Sequence, residues 1–368
     1  LMQRARLETG TAGGSAPPTG AALAGKAGVE RRAREVFVEG AESEERIRPL
    51  DLVGDLARLC RLGAVAFAEE FARRGIDFET TLREQRRVVP LVALLGRISP
   101  FFRHANHGLV CEIGEEIAGV VLFGRLGSEP TQWEIGTVAT APEFRRRGIA
   151  RRLVRAAIRE ATAFGAEVVS LKVRSDNEAA YGLYRSLGFD HYNTSVSMKL
   201  EDLPEVPMES IEGWNIRRLP LSEWRARFEL ARRATPARVQ SFAPVTRRRY
   251  RRSALLRLLA PLLMRLAAVS VRSWVVERSG EAVASLRVLA RTRPKMTHEV
   301  KLVVLPEVAD ALAEPLVRRA LATLQRFPRV FVETEVAHGE EAVLRTLEGY
   351  GFSPMEQWDW LGLRTLRP

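Results

Sequence analysis

Apolar and polar positions along the chain fall into two successive runs with the same order of elements. In the first run, residues 46–50 alternate as a short strand and 51–98 carry apolar residues at helical spacing. Two stretches of period two follow at 107–113 and 117–124, parted by the turn-like Gly114-Glu115-Glu116. Next come a strand at 132–140, an amphipathic helix at 148–164, a strand at 167–173, a helix at 178–187 and a strand at 192–200. Strands that begin as a meander and then alternate with helices predict a mixed α/β sheet.

The second run repeats this order. Residues 214–219 are strand-like, 221–266 helical, and 273–277 with 282–290 form a strand pair across Ser279-Gly280. A strand at 299–305, a helix at 309–326, a strand at 330–336, a helix at 340–349 and a strand at 357–363 complete it. Pro306-Glu307 echoes Pro142-Glu143, and Tyr350-Gly351-Phe352 echoes Leu187-Gly188-Phe189. The proline-to-phenylalanine spacing is 47 residues in the first copy and 46 in the second, which puts both copies in one register. The chain therefore divides into a flexible Gly/Ala/Thr/Pro-rich tail (1–45), a first α/β domain (46–203), a linker with Pro204 and Pro207 (204–213) and a second α/β domain (214–368).

Composition agrees with two soluble globular domains: 368 residues, 46% hydrophobic and 28% charged. Charge adds something that the pattern does not. The net +12 is spread unevenly, +1 over residues 1–205 and +11 over 206–368. Residues 217–272 alone hold 15 arginines against two acids, Glu223 and Glu229. Such a segment suits an anionic partner, a subunit contact in a homodimer, or a solvated face, and these readings stay open. Cys60 and Cys111 are too few for a disulfide framework. The longest apolar stretch, 255–269, is broken by Arg257, Pro261 and Arg265, so no membrane insertion is expected, and without a signal-like apolar region the expected location is cytoplasmic. His104 and His107 have metal-ligand spacing but no third ligand nearby, and no metal is expected.

The informative stretch runs from Val138 to Arg151. A strand ends at Val138, Ala139 and Thr140, Pro142 turns the chain, and a helix begins just after Gly148, Ile149 and Ala150. Small residues there leave backbone N–H groups uncovered at the positive end of a helix dipole, which makes an anion site. Arg145, Arg146, Arg147 and Arg151 add charge suited to a polyphosphate. A kinase-type phosphate loop would need a Gly-Lys-Ser/Thr ending and a dinucleotide fold a Gly-x-Gly-x-x-Gly; neither is present here.

Arg145-x-x-Gly148-x-Ala150 behind Pro142 resembles the signature of the GNAT superfamily of acyl-CoA-dependent N-acetyltransferases. A second element lies 32 residues on, where Asn177, Ala180, Tyr184 and Leu187-Gly188-Phe189 match the asparagine and the following helix of that family. The resemblance implies a tandem of GNAT-like domains, each with a central mixed β-sheet flanked by helices, and acetyl-CoA as cosubstrate. It also implies that backbone N–H groups of Val138, Ala139 and Thr140 meet the acetyl carbonyl and pantetheine arm, that the loop from Arg146 to Arg151 holds the pyrophosphate, and that Asn177 reaches the pantetheine. Tyr184 would then protonate the departing thiolate. Glu134, in Gln-Trp-Glu-Ile-Gly, matches the catalytic glutamate of histone-type members and would accept the proton of an amine acceptor, aided by drying from Trp133 and Ile135. Ribosomal-protein members keep a glutamate where Lys172 stands, so their substrate does not carry over.

The second copy departs at each chemical position. Ala309, Asp310, Ala311 and Leu312 replace Arg145 to Gly148, Glu340 replaces Asn177 and Leu347 replaces Tyr184. Its strand before the proline is one residue shorter, as expected if a cofactor-splaying bulge were missing. The expected function is direct acetyl transfer to a primary amine of a small molecule, with a degenerate second domain that binds no CoA. A protein N-terminal or lysine acetyltransferase, and a non-enzymatic acyl-CoA-sensing or nucleic-acid-binding module working through 217–272, are the alternatives.

Overall fold

A computed structural model describes residues 45–51, 53–68, 107–126, 129–208, 213–220, 222–251, 261, 264–265, 268–293 and 297–365. The expected tail, the helical stretch beyond residue 68, His104 and most of 252–267 lie outside the described residues.

The first copy contributes β1 (Glu45–Pro49), α1 (Leu56–Ala66), β2 (His107–Ile113), β3 (Glu116–Arg125), β4 (Gln132–Thr140), α2 (Ile149–Ala163), β5 (Val168–Arg174), α3 (Glu178–Ser186) and β6 (Asp190–Leu200). The second contributes β7 (Asn215–Arg218), α4 (Trp224–Ala234), α5 (Ala237–Gln240), α6 (Arg247–Tyr250), β8 (Val269–Arg278), β9 (Glu281–Arg291), β10 (His298–Val304), α7 (Ala309–Leu324), β11 (Val332–Ala337), α8 (Glu341–Gly349) and β12 (Ser353–Arg364). Over residues 222–251 the single helical stretch expected from 221 is three short helices, interrupted at Pro236 and again from Ser241 to Thr246. A proline has no N–H to continue a helix and restricts the residue before it.

The expected mixed sheets of the two copies are present and fused into one. The order is β1-β2-β3-β4-β5-β12-β6-β11-β10-β9-β8-β7. Among the described residues only β4 with β5 and β10 with β11 run parallel. The last strands are exchanged: β12 of the second copy lies between β5 and β6, and β6 of the first lies between β12 and β11. Each half of the sheet is thus completed by the final strand of the other run.

Alternation decides which face each strand buries. On β4, Trp133 and Ile135 enter the core of the first copy, and on β5 Val169, Leu171 and Val173 do the same. They pack on α2, whose Ile149, Leu153, Val154, Ala156, Ala157 and Ala161 form its apolar stripe. Leu286 and Val288 on β9, with Leu312, Leu316 and Leu321 on α7, build the equivalent core of the second copy. The intervening polar residues, among them Glu134, Lys172, Glu335, Lys301 and Arg287, are left on the opposite face. No helix among the described residues is long and apolar enough to cross a membrane.

Candidate active site

The chemistry is built where β4 parts from β5. Their parallel pairing runs only from Gln132↔Val168 to Ile135↔Leu171, although β4 continues to Thr140. The cause is visible on the other edge. Register with β3 shifts between Leu122↔Thr137 and Phe123↔Ile135, so Gly136 is an inserted residue that bends β4 away. Val138, Ala139 and Thr140 keep their β3 partners, Val121, Val120 and Gly119, and have none on the β5 side. The Thr140 hydroxyl is buried at the edge of this gap without a hydrogen-bond partner among the described residues.

At the end of β4 a 3-10 turn, Pro142–Phe144, leads into a four-residue loop before α2. Arg146 has φ +65° and Gly148 φ +77°. Two left-handed residues so close together wind the chain into a shallow nest whose N–H groups converge. The first helical hydrogen bond of α2 runs from the Arg152 N–H to the Gly148 carbonyl at 3.1 Å, so the N–H groups of Ile149, Ala150 and Arg151 precede it and have no helical acceptor. Gly148 carries no capping side chain, and a Cβ built on it would meet only the Arg152 guanidinium, at 3.4 Å. Arg152 donates to the Arg147 carbonyl at 3.1 Å and pairs with Glu45, while Arg145 Nε reaches the Thr140 carbonyl at 3.4 Å. Arg145, Arg146 and Arg147 are exposed around the nest. An orphaned hydroxyl, a half-unpaired strand and an uncapped basic helix start are together what a CoA pantetheine and pyrophosphate need, so the residues present fit that group.

Asn177 follows β5 and caps α3, its Oδ1 accepting the Ala180 N–H at 3.1 Å. Its amide NH2 is left as a donor at an exposed position. Tyr184 lies on the helix side of the sheet, 7% exposed, edge-on to Phe189 at 5.9 Å. Burial pushes its phenol up to about 12, so it holds its proton at neutral pH.

Glu134 stands on the opposite face and makes no hydrogen bond or ion pair among the described residues. Burial raises its carboxyl above the ordinary range, and the cations Lys172 and Arg249 pull partly against this. A row of polar groups extends from it across the seam between the copies. Lys172 Nζ binds Glu335 Oε1 at 2.7 Å and sits 4.0 Å from the Trp360 ring centroid. Ser195 donates to Glu335 at 2.5 Å and accepts from the Trp360 indole at 2.8 Å. Tyr192, buried beside them, stacks on Phe242 at 5.2 Å, and burial followed by the Glu134 charge raises its phenol strongly. Lys172, singled out because a glutamate was absent there, thus serves to join the copies. Trp360 thus lies at the interface of the two copies, between Ser195 and Lys172. Tyr192, Ser195 and Glu335 were not read from the sequence. One signal was available: Lys172 and Glu335 are 163 residues apart, the same offset as Phe189 and Phe352 in the repeat.

The second copy has no such nest. Its 3-10 turn Pro306–Val308 passes straight into α7 at Ala309, whose φ of −62° and ψ of −44° are already helical. The four residues aligned with the Arg145–Gly148 loop are turns of helix, and Asp310 pairs with Arg345. β9 and β10 run in unbroken register, so the bulge is absent as expected, yet β10 also parts from β11 beyond Val300↔Thr334. A cavity of about 100 Å³ near the start of α8 is lined by Ser195, Ala337, Glu340 and Leu344 among others. Its half-buried Glu340 makes it unsuited to a polyphosphate. Among the described residues no cluster of metal-ligating side chains occurs.

Residues 77–189 match the acetyltransferase (GNAT) family. The chain is similar to the N-alpha-acetyltransferase RimI of Mycobacterium tuberculosis, 40% identical over 85 residues, which are 23% of this chain and 52% of the relative. It therefore spans about half the length of that curated relative. A GCN5-related N-acetyltransferase from Sphaerobacter thermophilus shares the fold at 16% identity and a TM-score of 0.58, over 88% of this chain and 97% of the other. A tandem GNAT protein from the clavulanic acid biosynthesis pathway does so at 16% identity and 0.55, over 87% and 98%.

Proposed function

We propose that this protein is an acetyl-CoA-dependent N-acetyltransferase that passes the acetyl group directly to a primary amine of a small molecule. The observation that carries the reading is the Gly136 bulge, which opens β4 from β5 at the point where the Arg145–Arg151 nest begins. The gap connects two faces: Tyr184 lies on the helix side and Glu134 on the other, so cosubstrate and acceptor can approach from opposite sides.

Acetyl-CoA supplies a thioester, an acyl group with a moderate leaving group. The nest from Arg146 to Arg151 holds the pyrophosphate through backbone N–H groups and the helix dipole, with the flanking arginines adding charge. Asn177 offers its amide to the pantetheine arm. N–H groups of β4 between Val138 and Thr140 steady the carbonyl oxygen as negative charge develops on it. Glu134, with its proton affinity raised by burial, takes the proton that an ammonium acceptor must lose. Tyr184 returns a proton to the sulfur. No covalent enzyme intermediate and no metal enter this scheme.

The test is an acceptor screen with acetyl-CoA, followed by Glu134→Gln and Tyr184→Phe. The first variant should lower kcat by about 100-fold or more and abolish the acidic limb of the pH profile, since the base works only above its raised pKa. The second should lower kcat with little change in acetyl-CoA affinity. Full activity in both would remove the site assignment. The similarity to RimI supports a second reading, a protein N-terminal α-amine as acceptor, and peptides belong in the same screen.

A further inference from the structure

The arginine-rich segment of the second copy leaves its own half and crosses the polar face of the first. Four contacts hold it there. Arg238 donates to the His191 carbonyl at 2.7 Å, Arg364 to the Ser241 carbonyl at 3.2 Å, Phe242 stacks on Tyr192, and Thr246 hydrogen-bonds the buried Glu129 just before β4. A Cβ at Gly362 would lie 2.4 Å from the Phe242 ring, so the segment is seated tightly against β12.

Most arginines of the segment are already engaged. Arg217 binds Glu277 and Glu223, Arg232 binds Glu229, Arg233 binds Glu281, and Arg247 lies over the Phe228 ring at 5.8 Å. Tyr250 also packs on Phe228, at 6.0 Å. Anchored on both sides in this way, Arg249 is exposed and makes no hydrogen bond or ion pair among the described residues. The segment runs from Phe242 on Tyr192 to Thr246 on Glu129, just before β4, which carries Arg249 over the polar face that bears Glu134, and its positive charge works against the burial that raises that carboxyl. The acids facing this region are Glu134 itself, Glu129, which is held by Thr246, Glu335, which is paired with Lys172, and Glu340, which lies nearer Lys301.

A free cation beside a general base is a liability, because it stabilises the carboxylate and weakens the base. The cost disappears if the complex brings an anion to the guanidinium. We propose that the acceptor carries a carboxylate or phosphate besides its amine, and that Arg249, delivered by the degenerate copy, binds this anion next to Glu134. The inference rests on the acetyltransferase reading and adds to it the acceptor's charge. It also gives the second copy a task, completing the acceptor side of a site whose cosubstrate side belongs wholly to the first. In the complex the anion offsets Arg249, so Glu134 regains its proton affinity when the correct acceptor is bound. The guanidinium meanwhile disfavours purely cationic amines.

The experiment compares acetyl transfer to primary amines in matched pairs: 6-aminohexanoate against 6-aminohexanamide, phosphoethanolamine against ethanolamine, and glutamate against its diamide, with putrescine as the cationic arm. A charge-assisted contact to one guanidinium predicts that kcat/KM favours the anionic member by about 10- to 100-fold. Arg249→Ala should collapse that ratio, and Arg249→Lys should retain part of it, which separates loss of charge from misfolding. The carboxylate and phosphate arms show which anion is preferred. Preference for neutral amines or putrescine, or a ratio unchanged in Arg249→Ala, would overturn the inference while leaving the transferase reading intact. Absence of transfer to every amine by protein that binds acetyl-CoA would overturn the transferase reading and this inference with it.

Discussion

Replacing Gly148 by glutamate separates two effects that the loop geometry makes calculable. Gly148 has φ +77°, and a side chain there costs about 1–2 kcal/mol of backbone strain whatever the space around it. The space itself is open, with only Arg152 Nη1 at 3.4 Å from the new Cβ, so no steric penalty is added. For a chain of 368 residues each kcal/mol moves Tm by about 1.3 °C, giving a fall of about 1–3 °C. The second effect acts on ligand: a carboxylate about 4 Å from a phosphate charge costs about 1 kcal/mol in water and about 4 kcal/mol at an effective dielectric of 20. Acetyl-CoA affinity should therefore drop by about 5- to 1,000-fold. Gly165→Glu is the matched control, because Gly165 has φ +85° at the far end of α2 and nothing within 4 Å of its Cβ position. Thermal melts and calorimetric titration of both variants with acetyl-CoA make the comparison. Similar Tm losses with affinity lost only in Gly148→Glu are expected; equal affinities would refute the placement of the pyrophosphate.

Two further outcomes follow from charges placed by the fold. Burial raises Glu160 to about 7, and His107 Nδ1 lies 3.8 Å from its carboxylate. The unfolded chain releases this proton near 4.5 and the fold retains it to about 7, so its contribution is present at low pH and lost as pH rises through that window. Glu160→Gln should then be more stable than the parent at pH 8, by up to about 3 kcal/mol, and no more stable at pH 4.5, as read by urea unfolding at the two pH values. At the seam, Lys172→Glu or Glu335→Lys alone should cost about 0.5–1 kcal/mol, and the double reversal should restore most of it; additive losses in melting experiments would show that the pair does not couple the copies.

The order of elements was legible because burial of one face imposes period two on strands and a stripe on helices, as in Trp133 and Ile135 on β4 or Leu312 and Leu316 on α7. The loop before α2 was legible too, since a glycine at a helix start and a proline four residues before Arg146 leave few conformations. Strand partnership was not. β6 and β12 each carry a pattern that suits either neighbour, and alternation tells which face a strand buries, never which edge it pairs with. The bulge at Gly136 was anticipated only through a one-residue difference in length between the copies. Placement of Arg249 depended on long-range contacts such as Thr246 with Glu129, 117 residues apart, which no local periodicity encodes.

The central claim is that one copy binds acetyl-CoA while the other, lacking the nest, completes the acceptor side. Its most direct test is calorimetric titration of the full chain with acetyl-CoA. The account predicts one site per chain, lost in Gly148→Glu and retained when Asp310 is replaced by alanine. Two sites per chain, no binding, or a single site insensitive to Gly148→Glu would contradict it.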